Sequence, residues 1–172
     1  PKGVLYSHRS ILLHTFGMLT FAADVGLTPS STVLPVVPLF HANAWGLPFA
    51  VPLVGAKLVF PGAALDGASL FSLMDRERVK AAWGVPTIWL GLLAEMRKQK
   101  RKPQDFSFML SGGSAVPRSM IQELEKEFGV DVTHGWGMTE CSPVGSTTTL
   151  GSQAKELSFD EKVELKMLIL KS

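Results

Sequence analysis

One loop of the sequence has the composition of a nucleotide-binding turn. Residues 111–117 (SGGSAVP) place paired glycines between an apolar run and the start of a helical pattern. Glycine lets a ligand approach the backbone closely, and the first turn of a helix offers unpaired N–H groups and a positive partial charge. On this loop alone a plain tight turn is the simpler explanation, since it matches neither the Walker A motif nor the dinucleotide-binding pattern.

A second loop combines an aromatic residue with two oxygen ligands. Residues 134–140 (HGWGMTE) set Trp136 between two glycines and follow it with the hydroxyl of Thr139 and the carboxylate of Glu140. A hard oxygen ligand beside a hydroxyl suits Mg²⁺ and phosphate oxygens. A glycine-rich turn with an exposed glutamate explains the same residues equally well.

A third loop is apolar and bounded by prolines and glycine. Residues 38–46 (PLFHANAWG) bring His41 and Trp45 close together. A lone histidine here is more often a hydrogen-bonded structural residue, and a lone tryptophan is more often part of the core. As a pair at the mouth of an apolar pocket, the two side chains would suit a long hydrophobic substrate.

The segments between these loops alternate short apolar runs with helical periods. Strands are predicted at residues 32–39, 57–60, 81–85, 106–110 and 130–134. Helices are predicted around residues 12–23, 70–74, 86–96, 117–128 and 158–170. This alternation predicts an α/β fold, a layered sheet covered by helices. Ligands in such sheets sit beyond the carboxyl ends of strands, so the loops after Leu39, Leu110 and His134 are expected to share one rim.

The composition indicates one globular domain. The chain has 172 residues, of which 46% are hydrophobic and 19% charged, and these values exclude disorder as the main state. The net charge of +2 is too even for a nucleic-acid-binding surface. The single cysteine, Cys141, excludes an internal disulfide framework and favours a reducing compartment such as the cytoplasm.

The most apolar stretch is not expected to cross a membrane. Between residues 33 and 60 the only charge is Lys57, but Pro35, Pro38, Pro48 and Pro52 interrupt the run. Four prolines would break too many backbone hydrogen bonds for a helix exposed to lipid. The stretch is therefore interpreted as a buried strand, a loop and a short helix.

The order of these loops resembles the adenylate-forming (AMP-binding) superfamily, and most closely its fatty acyl-CoA synthetases. The matching segments are PKGV at residues 1–4, FHANAW at 40–45, GGSAVP at 112–117 and GWGMTE at 135–140. They resemble, respectively, the tail of the phosphate loop, the acyl-pocket gate, the nucleotide-pocket loop and the aromatic-Gly-x-Thr-Glu motif. Trp136 stands where many members carry tyrosine.

The resemblance covers essentially the whole chain and implies its place in a longer protein. Residues 1–172 would be a central fragment of the large N-terminal domain, with the C-terminal domain absent. The opening Pro1-Lys2-Gly3-Val4, without an initiator methionine or a signal-peptide pattern, agrees with that expectation.

The resemblance also implies a role for each matching residue. His41, Thr139 and Glu140 would be catalytic, with Glu140 as the Mg²⁺ ligand, and Trp45 would gate the acyl tunnel. The nucleotide would be bound by Lys2, Gly113, Ser114, Ala115, Gly135, Trp136, Gly137 and Met138.

The implied reaction is the ATP-dependent activation of a fatty acid to acyl-AMP and then to acyl-CoA, by an acid–thiol ligase. It uses ATP, Mg²⁺ and coenzyme A, involves no nucleic acid, and leaves a homodimer open. The isolated chain is expected to be inactive, because the front of the phosphate loop and the family's distal catalytic lysine lie outside it.

Other acids remain alternatives. Amino-acid-activating enzymes generally need an acidic residue near the gate, and the sequence has no Asp or Glu between Asp24 and Asp66. This favours an uncharged acyl tail. Short sulfur-bearing acids, aryl acids and a luciferin-like substrate stay open.

Three further classes are weaker alternatives. A serine hydrolase could use Ser114, His134 and Asp131, but the loop lacks the final glycine of a nucleophile elbow. A zinc site lacks typical spacing in its potential ligands, which are His41, His134, Glu140 and Cys141. An inactive, dimer-forming scaffold could use the apolar final helix, at residues 167–170. The basic run at residues 97–102 is interpreted as a solvated helix end.

Overall fold

The strands form one sheet that is parallel except at one edge. The computed structural model describes residues 3–151, 154 and 156–168. Its strands are β1 (Thr32–Pro35), β2 (Lys57–Leu58), β3 (Ala81–Gly84), β4 (Phe108–Gly112), β5 (Asp131–Gly137) and β6 (Val144–Thr147). They lie in the order β2-β1-β3-β4-β5-β6, and only β6 runs antiparallel to its neighbour. The predicted α/β class is confirmed.

Helices cover both faces of the sheet. They are α1 (His8–Asp24), α2 (Ala42–Trp45), α3 (Leu47–Val54), α4 (Gly67–Arg76), α5 (Pro86–Gln99), α6 (Arg118–Lys126) and α7 (Phe159–Leu168), with a short 3₁₀ helix at Thr139–Cys141. One apolar cluster joins the sheet to α1, α2 and α3, and the other joins it to α4, α5, α6 and α7. Two faces covered in this way are what a parallel sheet requires.

Local signals in the sequence explain several helix ends. Pro86 is the first residue of α5, where its missing N–H is no loss. The predicted capping box before α7 is confirmed, because the Ser158 N–H donates to Glu161 Oε2 at 2.8 Å and the Glu161 N–H donates back to Ser158 Oγ at 3.4 Å. Residues 169 and 170 of the predicted final helix lie outside the described residues.

The carboxyl ends of the central strands share one edge of the sheet. Leu110 on β4 pairs with Thr133 on β5, and Gly112 pairs with Gly135. The strand order changes direction between β1 and β3, the point at which sheets of this topology bind ligands. The predicted common rim is therefore confirmed.

The strand boundaries differ from the prediction at this rim. The first strand ends at Pro35 rather than at residue 39, and the last ladder contact is the Val36 N–H, which donates to the Trp83 carbonyl at 2.7 Å. β4 and β5 instead continue through glycines to Gly112 and Gly137. β6 was not predicted, because its VGST sequence is polar and its side chains are only partly covered.

The basic residues at 97–102 form ion pairs and hydrogen bonds with other residues on the surface of the same chain. Arg97 binds Glu123, Arg101 binds Asp75, and the Lys102 ammonium donates to the Gly129 carbonyl. This confirms the interpretation of residues 97–102 as a helix end. In the described part of the chain, none of the helices has the length and apolar character needed to cross a bilayer.

A glycine contact between α4 and α5 gives a test of the packing. A Cβ at Gly67 would lie 2.1 Å from the Gly91 carbonyl oxygen, whereas a Cβ at Gly17, inside α1, would meet nothing within 4 Å. We expect Gly67→Ala to lower the free energy of unfolding by about 1–3 kcal/mol, because the backbone of α4 or α5 would have to move to make room for the methyl group. The matched control Gly17→Ala should raise it by about 0.5–1 kcal/mol. Urea unfolding measures both values, and equal effects would contradict the packing.

Candidate active site

A cavity of about 550 Å³ opens at the carboxyl ends of β1, β3, β4 and β5. Apolar side chains form much of its wall, among them Val36, Val37, Trp45, Val85, Ile88 and Leu110. The wall also includes the glycines and polar groups of the two glycine-rich loops, among them Gly113, Thr139 and Glu140. An apolar pocket with a few convergent polar groups is the usual form of a small-molecule site.

Trp45 reaches the cavity from a backbone turn of the left-handed type. All four residues of α2 have positive φ, with 47° at Ala42, 52° at Asn43, 46° at Ala44 and 57° at Trp45. Such angles cost roughly 1–2 kcal/mol for each residue that is not glycine. The turn is held by burial of Ala44 and Trp45 in the core, and strain of this kind is concentrated at functional sites.

The indole of Trp45 lies against the end of β4. A Cβ at Gly112 would be 3.1 Å from Trp45 Cη2 and 2.8 Å from the Gly135 carbonyl oxygen. A glycine at 112 therefore lets the indole and β5 approach the same point of backbone. His41, which precedes the turn, is exposed and lines the cavity.

The Gly112–Gly113 turn is supported from below by His134. Gly113 has φ 77° and lines the cavity, whereas Ser114 and Ala115 are exposed and lie outside its lining. The buried His134 ring contacts the Ser114 carbonyl through Nε2 at 3.2 Å. Because a carbonyl only accepts, Nε2 carries the hydrogen. Burial lowers the pKa of His134 and keeps its ring neutral.

The loop from Trp136 to Glu140 completes the wall. Trp136 is half-exposed and Glu140 is exposed, and both line the cavity with Thr139. The Met138 N–H donates to the Pro143 carbonyl at 3.0 Å, which closes the turn. The Tyr6 hydroxyl donates to the Thr139 carbonyl at 2.6 Å. The pKa of Tyr6 is raised, first by burial and then by the nearby Glu140 and Cys141, so Tyr6 stays a donor.

Most of the predicted site residues meet in this one cavity. Its lining includes His41, Trp45, Gly113, Gly135, Trp136, Gly137, Met138, Thr139 and Glu140. The predicted contacts of Ser114 and Ala115 are not part of it, and Lys2 lies outside the described residues.

Two weaker alternatives gain nothing from the geometry. His134 contacts the backbone of Ser114 rather than its hydroxyl, and the Asp131 carboxylate binds Lys166 at 2.6 Å. The hydrolase set is therefore not connected as a triad. Within the described ranges, no three side chains of the His, Cys, Asp and Glu types are grouped as a metal site would need.

Sequence reasoning missed His14. Its Nε2 accepts a hydrogen bond from the Val144 N–H at 3.2 Å, and its ring lies where a Cβ of Gly46 would be, 2.6 Å from Cε1. His14 thus joins the end of the Trp45 turn to β6. The two partners of the hydrogen bond are 130 residues apart, and no local pattern signals such a contact.

Comparison with known proteins identifies the family. A family model described as AMP-binding enzyme matches residues 1–164. The chain belongs to this AMP-binding family. It is 52% identical to a medium-chain-fatty-acid–CoA ligase of Ectopseudomonas oleovorans over 167 residues, which are 96% of this chain and 30% of the relative. It is 50% identical to a 3-methylmercaptopropionyl-CoA ligase of Ruegeria pomeroyi over 147 residues, which are 86% and 27% of the two chains.

The fold is shared with a solved coenzyme A synthetase. An o-succinylbenzoate coenzyme A synthetase from Bacillus subtilis, in complex with ATP and magnesium ion, superposes with a TM-score of 0.74 at 25% identity. That match covers 92% of this AMP-binding chain and 31% of the synthetase. The chain thus spans about 30% of the length of the curated relatives it matches.

The burial of His14 gives the AMP-binding chain a pH-dependent stability. Burial lowers the pKa of His14 below its value of about 6.5 in the unfolded chain. Between the two pKa values the unfolded state binds more protons, so stability is present above pH 6.5 and is lost as the pH falls. His134 contributes in the same direction. The slope for each group is bounded by about 1.4 kcal/mol per pH unit.

We therefore expect His14→Gln, which keeps an acceptor but cannot titrate, to flatten part of this slope. Urea unfolding at several pH values between 5.5 and 7.5 measures it. The control His8→Gln removes an exposed histidine and should keep the slope of the unmodified chain. An unchanged slope in His14→Gln would contradict the interpretation of His14 as a buried, neutral hydrogen-bond acceptor.

Proposed function

We propose that this chain belongs to an enzyme that activates a fatty acid with ATP, forming acyl-AMP and pyrophosphate, and then transfers the acyl group to coenzyme A. One observation carries the proposal: a single cavity joins the Trp45 turn to the Gly113 turn and to the loop from Trp136 to Glu140. An acyl chain and a nucleotide can therefore meet at one place, as the reaction requires.

We further propose that residues 1–172 are a central fragment of the large N-terminal domain of that enzyme. The identity of 52% to the medium-chain-fatty-acid–CoA ligase extends over 96% of this chain but over only 30% of the ligase, which supports a longer protein. The fragment would then lack the distal groups that complete catalysis, so we propose that it is inactive alone. A cytoplasmic location, suggested by the single cysteine, stays a prediction.

The apolar wall supports an uncharged acyl tail. The only ionisable side chains that line the cavity are His41 and Glu140 among the residues that the structure describes. The only carboxylate in that lining is Glu140, which we assign to Mg²⁺ below, so a substrate ammonium would be left unpaired, and burying an unpaired charge is costly. Fatty acids fit this wall best. A short sulfur-bearing acid is the second candidate, because a relative that is 50% identical is a 3-methylmercaptopropionyl-CoA ligase.

In the first step a carboxylate oxygen of the acid attacks the α-phosphorus of ATP. The new bond joins acyl oxygen to phosphorus, and the bond to the leaving pyrophosphate breaks. Trp136 would flank the adenine, the backbone at Gly113 would pack beside it, and the Thr139 hydroxyl would donate to phosphate oxygens. His41 is exposed and lines the cavity, so its imidazole could donate to the substrate carboxylate and orient it.

Glu140 fits the role of a Mg²⁺ ligand. Its carboxylate is exposed, lines the cavity next to Thr139 and forms no ion pair with the described residues. Mg²⁺ is commonly held by one or two carboxylates together with substrate phosphates, so a lone carboxylate is sufficient. When bound, the ion would neutralise charge that develops on the phosphates.

In the second step the thiolate of coenzyme A attacks the acyl carbonyl carbon. A thioester bond forms, the acyl–oxygen bond breaks, and AMP leaves. The buried Trp45 would then keep the acyl chain in its apolar channel while the nucleotide end exchanges.

Removal of the Glu140 charge tests the metal role. In the full-length protein that contains this sequence, we expect Glu140→Gln to slow ATP–pyrophosphate exchange by at least about a hundredfold, because losing about 3 kcal/mol of charge stabilisation has that effect. The control Glu127→Gln changes an exposed glutamate outside the cavity. Exchange at the unmodified rate in Glu140→Gln would refute the assignment.

Removal of the Trp45 ring tests the acyl side. Trp45→Ala should change the preference among fatty acids of different length, while the KM for ATP should change less than about twofold, since the ring borders the acyl wall. The control Phe49→Ala removes a partly exposed ring that does not line the cavity. If ATP affinity collapses and chain preference holds, Trp45 does not border the acyl chain.

A further inference from the structure

The pairing of β5 with β6 is irregular beside the cavity. Trp136 pairs with Ser146 and Gly137 pairs with Val144, so Gly145 is an extra residue on β6. Such a bulge bends its strand and re-aims neighbouring side chains, and bulges are common next to active sites. Here the side chain beside the bulge is that of Trp136, which lines the cavity.

Gly145 leaves room that the Trp136 indole occupies. A Cβ at Gly145 would lie 2.8 Å from Cζ3 and 3.0 Å from Cε3 of Trp136. Both distances are shorter than normal carbon contacts of about 3.5–4.0 Å. The backbone of Gly145 does not have a positive φ, so its conformation alone does not require glycine. The close indole ring is therefore the feature that restricts residue 145.

The surrounding backbone restricts the indole further. A Cβ at Gly137 would lie 2.2 Å from the Pro143 carbonyl oxygen. The backbone of β5 is therefore already in close contact with the segment that leads into β6. Trp136 is half-exposed and lines the cavity, and its ring lies close to Gly145 of β6. An added methyl group at residue 145 must displace the ring, because the closely packed backbone cannot easily yield.

We propose that Gly145 is a positioning residue for the nucleobase: its bare backbone seats the Trp136 indole at the angle that stacks on adenine. This inference rests on the proposed function, in which Trp136 flanks the adenine of ATP. Trp136 and Gly145 form a matched pair, since a phenyl ring lacks the Cζ3 edge that comes closest to residue 145. A large aromatic ring at 136 requires glycine at 145, and a smaller ring does not.

The test is a double-mutant cycle in the full-length protein that contains this sequence. The Kd for ATP with Mg²⁺ is measured by calorimetry without fatty acid for Gly145→Ala, Trp136→Phe and the double variant. Gly145→Ala should raise the Kd about tenfold when Trp136 is present and less than twofold when it is combined with Trp136→Phe. A loss of ATP affinity that does not act through the ring, such as a general loss of stability, would persist when the ring is smaller.

Two controls accompany the cycle. Gly151→Ala adds a methyl group where nothing lies within 4 Å, and should leave the Kd unchanged. The KM for the fatty acid should also stay within twofold in Gly151→Ala, because residue 151 does not line the cavity.

The outcomes separate this inference from the proposed function. If Trp136→Ala leaves ATP affinity unchanged, the adenine role of Trp136 is wrong and the inference fails with it. If Trp136→Ala weakens ATP binding but Gly145→Ala has no effect, or has the same effect with either ring, only the role of Gly145 is refuted. Relief of the Gly145→Ala defect by Trp136→Phe supports the matched pair.

Discussion

The site depends on one close contact. The backbone of Gly112, the carbonyl of Gly135 and the indole of Trp45 meet at one point. Gly112 on β4 pairs with Gly135 on β5, and the Trp45 indole packs against Gly112. A Cβ at residue 112 would lie 2.8 Å from the Gly135 carbonyl oxygen and 3.1 Å from the indole ring. Only a hydrogen fits. Because this contact holds, the Trp45 turn and the two glycine-rich loops form the wall of one cavity instead of three separate turns.

The constraint is maintained by groups that do not line the cavity. His134 holds the Ser114 carbonyl from below, and Tyr6 holds the Thr139 carbonyl. His14 joins β6 to the Gly46 end of the Trp45 turn. Each of them contacts backbone rather than substrate. His14 lies at the end of the turn whose four residues have positive φ, whereas His134 and Tyr6 hold the two glycine-rich loops. A fixed placement of this kind is what a reaction between two bound substrates would need.

The sequence was sufficient for the fold class, most elements and the common rim, because apolar periodicity, prolines and glycines act locally. The glycine at residue 113, which lines the cavity, was recognised from this local pattern. The strand ends were predicted less well, since glycines at 112 and 137 look like loop residues but continue the ladder. Contacts such as Tyr6 with Thr139 and His14 with Val144 join residues 133 and 130 positions apart, and no local pattern encodes them.

The most direct measurement is a crystal structure of the enzyme that we propose contains this sequence, bound to a non-hydrolysable acyl-adenylate analogue with a medium-length acyl chain. We predict that adenine stacks on Trp136 beside the Gly113 backbone and that the acyl chain runs along Trp45 and Leu110. The central claim, that nucleotide and acyl chain share this cavity, would be contradicted by an analogue bound elsewhere, or by adenine on the Trp45 side and the acyl chain at Trp136.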